Sequence, residues 1–220
     1  MTNIILQHFD GELRELDKLS MVNIQQYAKM VGADYRLITG RPFREHLTSP
    51  CQKVHMLDSE FDNYDDMLML DIDMFAPKNL TENIFEQKGI GLYAEVQQRL
   101  HSRLALQGGS LLYPYWGGAI YKLSLEHRQH LRKGLGGNEK WMKDFNVPYR
   151  YEDEGIMHML AKMTNFKPKN AYIDRKWCQC SFLPNPKKAG FIHIRTKVTP
   201  NGPKRDKIEN YKALVDQGVL

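Results

Sequence analysis

Short runs rich in apolar residues, separated by polar turns, dominate the first half of the chain. The run at 67–70 is apolar at every position, as expected for a strand that is covered on both faces of a sheet. We therefore predict three strands, at residues 3–7, 34–38 and 67–70.

Between these strands, apolar residues recur at three- and four-residue steps, which predicts helices. The first helix is predicted to begin after Ser20, a capping residue, and to end at Gly32 in a left-handed conformation. The second is predicted to begin with Ser49 as its cap, Pro50 in its first turn and Gln52 placed for a capping box. Strands that alternate with helices indicate an α/β sheet.

The second half of the chain carries weaker signals of the same kind. We predict strands at residues 91–94 and 118–121, and helices that begin near Ser124 and near Glu152. From Asn185 onward, prolines, glycines and lysines dominate.

Composition limits the number of domains and the cellular compartment. A chain of 220 residues, 42% of them apolar, can bury one sizeable core, so residues 1–220 are expected to form one domain, with room for further domains in a longer chain. No run approaches the roughly 18 apolar residues of a membrane span, and three cysteines give no even disulfide framework. We expect a cytoplasmic protein. The net charge of +5 attracts nucleic acid, membrane surfaces and phosphate-rich ligands alike.

Asp71 and Asp73 directly follow the predicted strand 67–70 and carry the clearest chemical signal. They lie at its carboxyl end, where open α/β sheets bind ligands. Residues two apart on an extended chain point the same way and lie roughly 6–7 Å apart at the backbone, so both carboxylates can reach one Mg²⁺ or Mn²⁺. The competing interpretation is an acidic turn that contains this spacing by chance.

Residues 64–75 resemble the D-x-x-x-x-x-D-x-D segment of GT-A glycosyltransferases. Three further segments follow in the family's order: 115–119 is similar to the small-residue loop and strand beneath the donor sugar, 152–154 to the acidic motif that opens a later helix, and 191–197 to the terminal His…Lys segment. The combination is similar to that of the capsid-glycosylating transferases of large algal viruses.

The resemblance implies a fold and a reaction. The fold is a GT-A (Rossmann-like) α/β domain with a mixed, mainly parallel sheet flanked by helices. The reaction moves a sugar from a nucleoside diphosphate sugar, with a UDP-sugar favoured, to a hydroxyl of a glycan or glycoprotein acceptor. The implied metal is Mn²⁺ or Mg²⁺, held by Asp71 and Asp73, and Asp71 could contact the donor's ribose instead.

His193 and Lys197 belong to the terminal segment, where the sequence departs from the retaining, glycogenin-like members. Their G-x-x-K-P-W after the histidine is absent, and residues 194–198 read I-R-T-K-V. His193 is either a buried core residue or the third metal ligand, and the two interpretations weigh about equally. Lys197 and Arg195 are either solvated charges or neutralise the diphosphate.

Further donor-binding candidates come from three segments. Gln7 and Phe9 leave the first strand where the base and ribose would lie, and Phe9 either stacks on the base or packs in the core. Lys53 could point toward the diphosphate, although a solvated helix lysine is the favoured interpretation. Trp116, Gly117 and Gly118 would lie beneath the donor sugar.

The acidic residues that open the helix near Glu152 are the catalytic candidates. Asp153 best matches the family's acidic motif and would act as the base of an inverting reaction, with Glu154 as the alternate. Carboxylates in a first helical turn are also favoured by the helix dipole, whatever the function.

Two other function classes remain open from the sequence. A nucleotidyltransferase or phosphoesterase could use the same Asp71–Asp73 pair on phosphorus, although residues 7–12 are not the glycine-rich basic loop of a nucleotidyltransferase. A nucleic-acid-binding module is less favoured, because the basic residues do not cluster with aromatic residues. We expect no nucleic-acid partner.

Overall fold

A computed structural model describes residues 2–93, 112–136, 152–199 and 201–220. Its strands are β1 (Asn3–Phe9), β2 (Asp34–Thr39), β3 (Asp66–Leu70), β4 (Met74–Phe75), β5 (Gly91–Tyr93), β6 (Trp116–Ser124), β7 (Gln179–Cys180) and β8 (Ile192–His193). Its α-helices are α1 (Glu15–Met30), α2 (Leu125–Arg132), α3 (Asp153–Met163) and α4 (Lys207–Asp216). None of the described helices is long and apolar enough to cross a membrane.

Five strands form a mixed sheet in the order β2-β1-β3-β6-β5. The β1–β2 and β1–β3 pairs are parallel, whereas β3–β6 and β5–β6 are antiparallel. The mixed α/β sheet predicted from the sequence is confirmed, and all five predicted strands are present. Residue 94, the last of the predicted strand 91–94, lies outside the described residues.

The central strands are covered on both faces. Met67 and Met69 of β3 belong to one apolar cluster, which includes residues of α3, whereas Leu68 and Leu70 belong to a second cluster, which includes residues of α1. Side chains alternate between the faces of a strand, so a strand between two helical layers must be apolar at every position. This double coverage explains the uninterrupted run at 67–70.

The first helix begins earlier than predicted. It starts at Glu15, and Arg14 N–H donates to the Asp17 carboxylate at 2.9 Å. Ser20 is therefore not a cap: it is buried inside the helix, and its hydroxyl donates to the Met74 carbonyl at 2.6 Å. Gly32, with φ +68°, has the predicted left-handed conformation.

The predicted second helix is a 3-10 helix over Ser49–Leu57. The predicted capping box does not form: Ser49 is the first residue of the helix, and Gln52 is buried. The Gln52 side chain accepts from Phe43 N–H at 3.0 Å and donates to the Arg44 carbonyl at 2.9 Å. It fixes the preceding loop instead of the helix end. The predicted starts of α2 and α3 are confirmed, with Ser124 capping α2 through a bond from His127 N–H.

A second, three-stranded sheet with the order β4-β8-β7 lies beside the first, and α4 packs next to it. Phe75, Ile192, Ile194 and Leu214 form a shared apolar cluster there. The proline- and lysine-rich composition from Asn185 onward does not reveal this packing. The consequence is that the C-terminal segment is part of the fold's core.

Candidate metal and donor site

Asp71, Asp73 and His193 meet at the carboxyl end of β3. Asp71 N–H donates to the Ala119 carbonyl at 3.0 Å, which fixes the chain as it leaves the strand. Three residues after Asp71, β4 begins and pairs antiparallel with β8, and Met74 lies opposite His193. The ligand atoms of Asp71, Asp73 and His193 all lie within 4.8 Å of one another, so these three residues could hold a divalent metal ion.

One oxygen of each carboxylate faces the imidazole, and the other oxygen accepts from a lysine. His193 Nε2 lies 3.1 Å from Asp73 Oδ1 and 3.9 Å from Asp71 Oδ2. Lys53 Nζ lies 2.6 Å from Asp71 Oδ1, and Lys207 Nζ contacts Asp73 Oδ2. The site therefore has an inner side, where two carboxylate oxygens and the imidazole nitrogen converge. On its outer side, the ammonium groups of Lys53 and Lys207 contact the other carboxylate oxygens.

Asp73 is held ionised despite its burial. Its side chain is only 9% exposed, and burial alone would raise the pKa of a carboxyl group. Hydrogen bonds and charges from His193 and Lys207 outweigh that effect and lower the pKa of Asp73 well below its usual value. An ionised carboxylate is the form that binds a hard cation.

Lys53 is buried and paired, contrary to the interpretation of a solvated helix lysine. Its side chain is 8% exposed, and its ammonium lies 2.6 Å from Asp71, 2.8 Å from Asp153 and 2.7 Å from the Gly118 carbonyl. Burial would lower the pKa of Lys53, but the two carboxylates outweigh it and raise that pKa. Lys53 therefore ties the predicted metal motif to the start of α3.

Asp153 and Glu154 open α3 in different environments. Asp153 is buried, receives a hydrogen bond from the Tyr121 hydroxyl at 3.0 Å and pairs with Lys53. Glu154 is half-buried and accepts from Gly118 N–H at 2.9 Å. Burial raises the pKa of Glu154 to about 7, and the charge of Asp153 adds to the effect. A carboxyl group with that pKa can exchange protons near neutrality.

Gly118 explains why this stretch of β6 needs small residues. A Cβ atom added to it would lie 2.6 Å from an Asp153 carboxylate oxygen, closer than real contacts allow. Its N–H and carbonyl also bond to Glu154 and Lys53. Gly118 thus lets β6 approach the start of α3.

Gln7 and Trp116, two predicted donor ligands, are buried, and the side chain of Gln7 bonds to the backbone of Asp71. Gln7 is fully buried, and its amide donates to the Asp71 carbonyl at 3.1 Å and to the Ser20 hydroxyl at 3.0 Å. The Trp116 indole is fully buried and donates to the Ala171 carbonyl at 2.7 Å. Donor contact stays a prediction for both residues, whose side chains are buried and hydrogen-bonded to backbone carbonyls.

Phe9, Gly117 and Lys197 stay predictions as donor ligands. Phe9 and Gly117 are half-buried, the first at the end of β1 and the second next to Gly118. Lys197 is exposed and forms an isolated backbone bridge with Lys204. In the C-terminal segment, Lys207 contacts Asp73; the sequence does not predict this contact, because Lys207 lies 134 residues from Asp73 and follows no motif.

Comparisons with known proteins agree with this architecture. No protein-family model and no curated protein matches the sequence. Among solved structures, a glycosyltransferase involved in the glycosylation of the major capsid of PBCV-1 superposes with a TM-score of 0.60 at 14% identity, covering 98% of this chain and 100% of that one. An active-site mutant of LgtC, and the galactosyltransferase LgtC in complex with donor and acceptor sugar analogs, superpose with TM-scores of 0.55 and 0.53. Both are 12% identical and cover 97% of this chain and 95% of theirs. The chain therefore has the GT-A-like fold of these glycosyltransferases.

Proposed function

We propose that this protein is a metal-dependent glycosyltransferase that moves a sugar from a UDP-sugar to a hydroxyl of a glycan or glycoprotein. The observation that carries the proposal is the convergence of Asp71, Asp73 and His193 at the carboxyl end of β3. The fold shared with sugar-transferring enzymes gives that cluster its functional context. The PBCV-1 enzyme's part in capsid glycosylation makes a glycoprotein acceptor a reasonable first choice.

The three converging residues fit a divalent ion. Protein ligands lie about 2.0–2.6 Å from such ions, so two ligand atoms of one ion are at most roughly 5 Å apart, and these atoms lie within 4.8 Å. Two carboxylate oxygens with one imidazole nitrogen suit Mn²⁺ better than Mg²⁺, which prefers oxygen ligands alone. When bound, the ion would neutralise the donor's diphosphate.

Lys207 is proposed to complete the donor site, because its ammonium contacts Asp73 and its side chain is 30% exposed. Lys53, whose ammonium is buried between Asp71, Asp153 and the Gly118 carbonyl, is proposed to act on the donor through the position of Asp71. Lys207 takes the diphosphate role predicted for Lys197, since it is the lysine that reaches Asp73. Phe9, at the end of β1, is proposed to stack on the base.

Glu154 is proposed to take the acceptor's proton in an inverting reaction. Asp153 was the first candidate for this role, but its carboxylate is 4% exposed and pairs with Lys53. Glu154 is more accessible, and its pKa of about 7 suits a base at neutral pH. Asp153 instead positions Lys53 and, through it, Asp71.

Incubation of the protein with a panel of UDP-sugars and Mn²⁺ tests the proposal. We expect slow release of UDP through transfer to water, faster release with an acceptor glycan, and neither without metal or in Asp73→Asn. Proton NMR of the product reads the anomeric configuration, and retention would remove Glu154 from the proposed role. Cleavage between the two phosphates, with UMP as product, would instead identify a phosphoesterase and overturn the proposal.

A further inference from the structure

A cavity lies at the other end of the central strands. Asp66 and Ser124 face each other in the β3–β6 pairing and line it, whereas Asp71 follows the opposite end of β3. Five residues of strand at about 3.3 Å each separate the two ends by roughly 16 Å. The cavity measures about 580 Å³, within the usual size of small-ligand pockets.

Positive charge dominates the cavity lining. Two carboxylates, Asp66 and Glu126, are outnumbered by four lysines, Lys88, Lys122, Lys167 and Lys169. None of the four lysines forms an ion pair within the part of the chain that the structure describes. The ammonium of Lys167 lies 5.0 Å from the ring centre of Tyr113. The cavity thus offers lysine charges that do not pair with a carboxylate of the described residues.

Lys122 is the least exposed of these cations. Its ammonium donates to the Gln87 carbonyl at 2.6 Å, a neutral partner, although an ammonium carries three N–H donors. Burial lowers the pKa of Lys122, and the charge of Asp66 offsets only part of this. A partly desolvated cation without a carboxylate in contact is stabilised by any anion that enters beside it.

His127 adds a polar group to the same cavity. Its Nδ1 atom is buried and has no hydrogen-bond partner among the described residues, while its ring packs edge-on against Phe166. Buried polar atoms in folded proteins almost always have a partner, and the exceptions call for an explanation. Because this atom is buried, it would gain a ligand oxygen as its partner only if the His127 ring, which lines the cavity, rotated toward the ligand.

We propose that this cavity is a second ligand site, which binds a small anionic molecule of the size of a sugar phosphate or sugar acid. Lysine ammoniums bind phosphate and carboxylate as point charges, which suits either group. Asp66 and Glu126 interrupt the positive surface, which disfavours a continuous polyanion such as nucleic acid. The site lies apart from the proposed metal centre and does not depend on the proposed function.

Calorimetric titration of the protein with glucose 1-phosphate, glucuronate and inorganic phosphate tests the proposal. EDTA is present throughout, so that metal-dependent nucleotide binding does not contribute. We expect saturable binding of glucose 1-phosphate or glucuronate, and the stronger of the two identifies the anionic group. Lys122→Gln and the exposed pair Lys88→Gln/Lys169→Gln should each weaken binding on the order of 10-fold, and Glu126→Gln should strengthen it about 2-fold, because it removes a repelling charge.

Two control variants locate the binding. Lys29→Gln removes an exposed lysine at the end of α1, outside the cavity, and Asp73→Asn alters the metal site; both should bind like the wild type. The proposal is overturned if no saturable binding occurs at millimolar ligand, if Lys29→Gln or Asp73→Asn loses binding equally, or if only oligonucleotides bind. If Lys122→Gln does not fold, the double variant Lys88→Gln/Lys169→Gln tests the proposal alone, because both of its side chains are exposed and their replacement should not affect folding.

Discussion

Two lysines near opposite ends of β3, Lys53 and Lys122, lie in opposite electrostatic surroundings. At the carboxyl end, Lys53 is buried between Asp71 and Asp153, and these carboxylates raise its pKa. In the cavity beside the amino end, Lys122, which lies opposite Leu68, bonds through its ammonium to one carbonyl among the described residues, and burial lowers its pKa. The same residue type thus acts as a fixed structural cation at one end and as a partly desolvated charge at the other.

The difference between the two surroundings distinguishes the preorganised site around Lys53 from the cavity near Lys122. The charges around Lys53 are balanced inside the protein, so the carboxylates keep their positions before any ligand arrives, as catalytic sites require. The lysines around the cavity near Lys122 form no ion pair among the described residues, so an anion that binds there would balance their charge. We therefore predict that substitutions around Lys53 lower the stability or the activity of the protein. Substitutions around Lys122 should leave the fold intact.

The largest expected effect is on stability, from Lys53→Met. Removing one partner from a buried ion pair leaves uncompensated charge and costs about 3–5 kcal/mol, and both Asp71 and Asp153 lose their cation here. Lys122→Met is the matched control and should change stability by less than about 1 kcal/mol, because burial already disfavours its charge. Urea unfolding measures both. Equal losses would contradict the comparison.

The next effect is on metal binding, from Asp73→Asn. Loss of a partner outside the metal's ligand shell typically costs 10–100-fold in affinity, so loss of a direct carboxylate ligand should weaken Mn²⁺ binding by more than about 100-fold. Electron paramagnetic resonance of free Mn²⁺ measures this without turnover. Asp62→Asn is the control, since Asp62 pairs with Arg132 far from the site. Wild-type Mn²⁺ affinity in Asp73→Asn would remove Asp73 from the metal site.

Glu154→Gln should lower turnover on the order of 100-fold or more, the usual size of a general-base contribution. In the wild type, activity should rise with pH through about 7 and then level, because the base works only when deprotonated and its pKa is about 7. Burial is the main cause of the raised pKa; the charges of Asp153 and Glu152 add to it, and the Gly118 N–H and the charge of Lys53 oppose it. The pH–rate profile of UDP release measures the rise, which should vanish in Glu154→Gln.

The same carboxyl group gives a test that needs no substrate. Its folded pKa of about 7 exceeds the ordinary value of 4.5, so the folded state binds the extra proton between these values and loses stability as pH rises through them. Glu154→Gln removes that loss. The variant should therefore melt at a higher temperature than the wild type at pH 8, and the difference should shrink toward pH 4. A difference independent of pH would contradict the raised pKa.

The sequence predicts the first half of this architecture well because its signals are local. The strand at 67–70, the helix end at Gly32 and the position of Asp71 and Asp73 follow from patterns within a few neighbouring residues. The start of α1 was predicted wrongly: it lies five residues before Ser20, where Arg14 N–H bonds to Asp17, and the Ser20 hydroxyl bonds instead to Met74, which lies far along the chain. Long-range partners of this kind leave no local pattern.

Site residues that depend on long-range packing were harder to predict. His193 could be a ligand or a core residue from sequence alone, and only the β4–β8 pairing brings it beside Asp73. Lys53 was expected in solvent because a helix lysine usually is, yet two carboxylates from distant segments bury it. Gln7, predicted at the ligand from its place at the end of the first strand, and Trp116, predicted there from its motif, are both buried, which no local pattern foretells.

The smallest expected effect distinguishes two lysines of the C-terminal segment. Lys207 contacts Asp73, whereas Lys197 follows the family motif in sequence and is exposed. If Lys207 binds the diphosphate, Lys207→Gln should weaken Mn²⁺-dependent UDP binding on the order of 10-fold, about the loss of one charge-assisted hydrogen bond. Titration calorimetry measures it.

Lys197→Gln provides the direct comparison, and Lys212→Gln, on the exposed side of α4, controls for the general positive field near the site. A 10-fold loss in Lys207→Gln with near wild-type binding in both others assigns the diphosphate contact to α4. The reverse result, with the loss in Lys197→Gln, would return the role to the motif lysine and leave Lys207 as a partner of Asp73 alone. Equal small losses in all three variants would mean that the segment attracts UDP through its summed charge, because a field that falls off over a Debye length of about 8–10 Å does not distinguish neighbouring lysines.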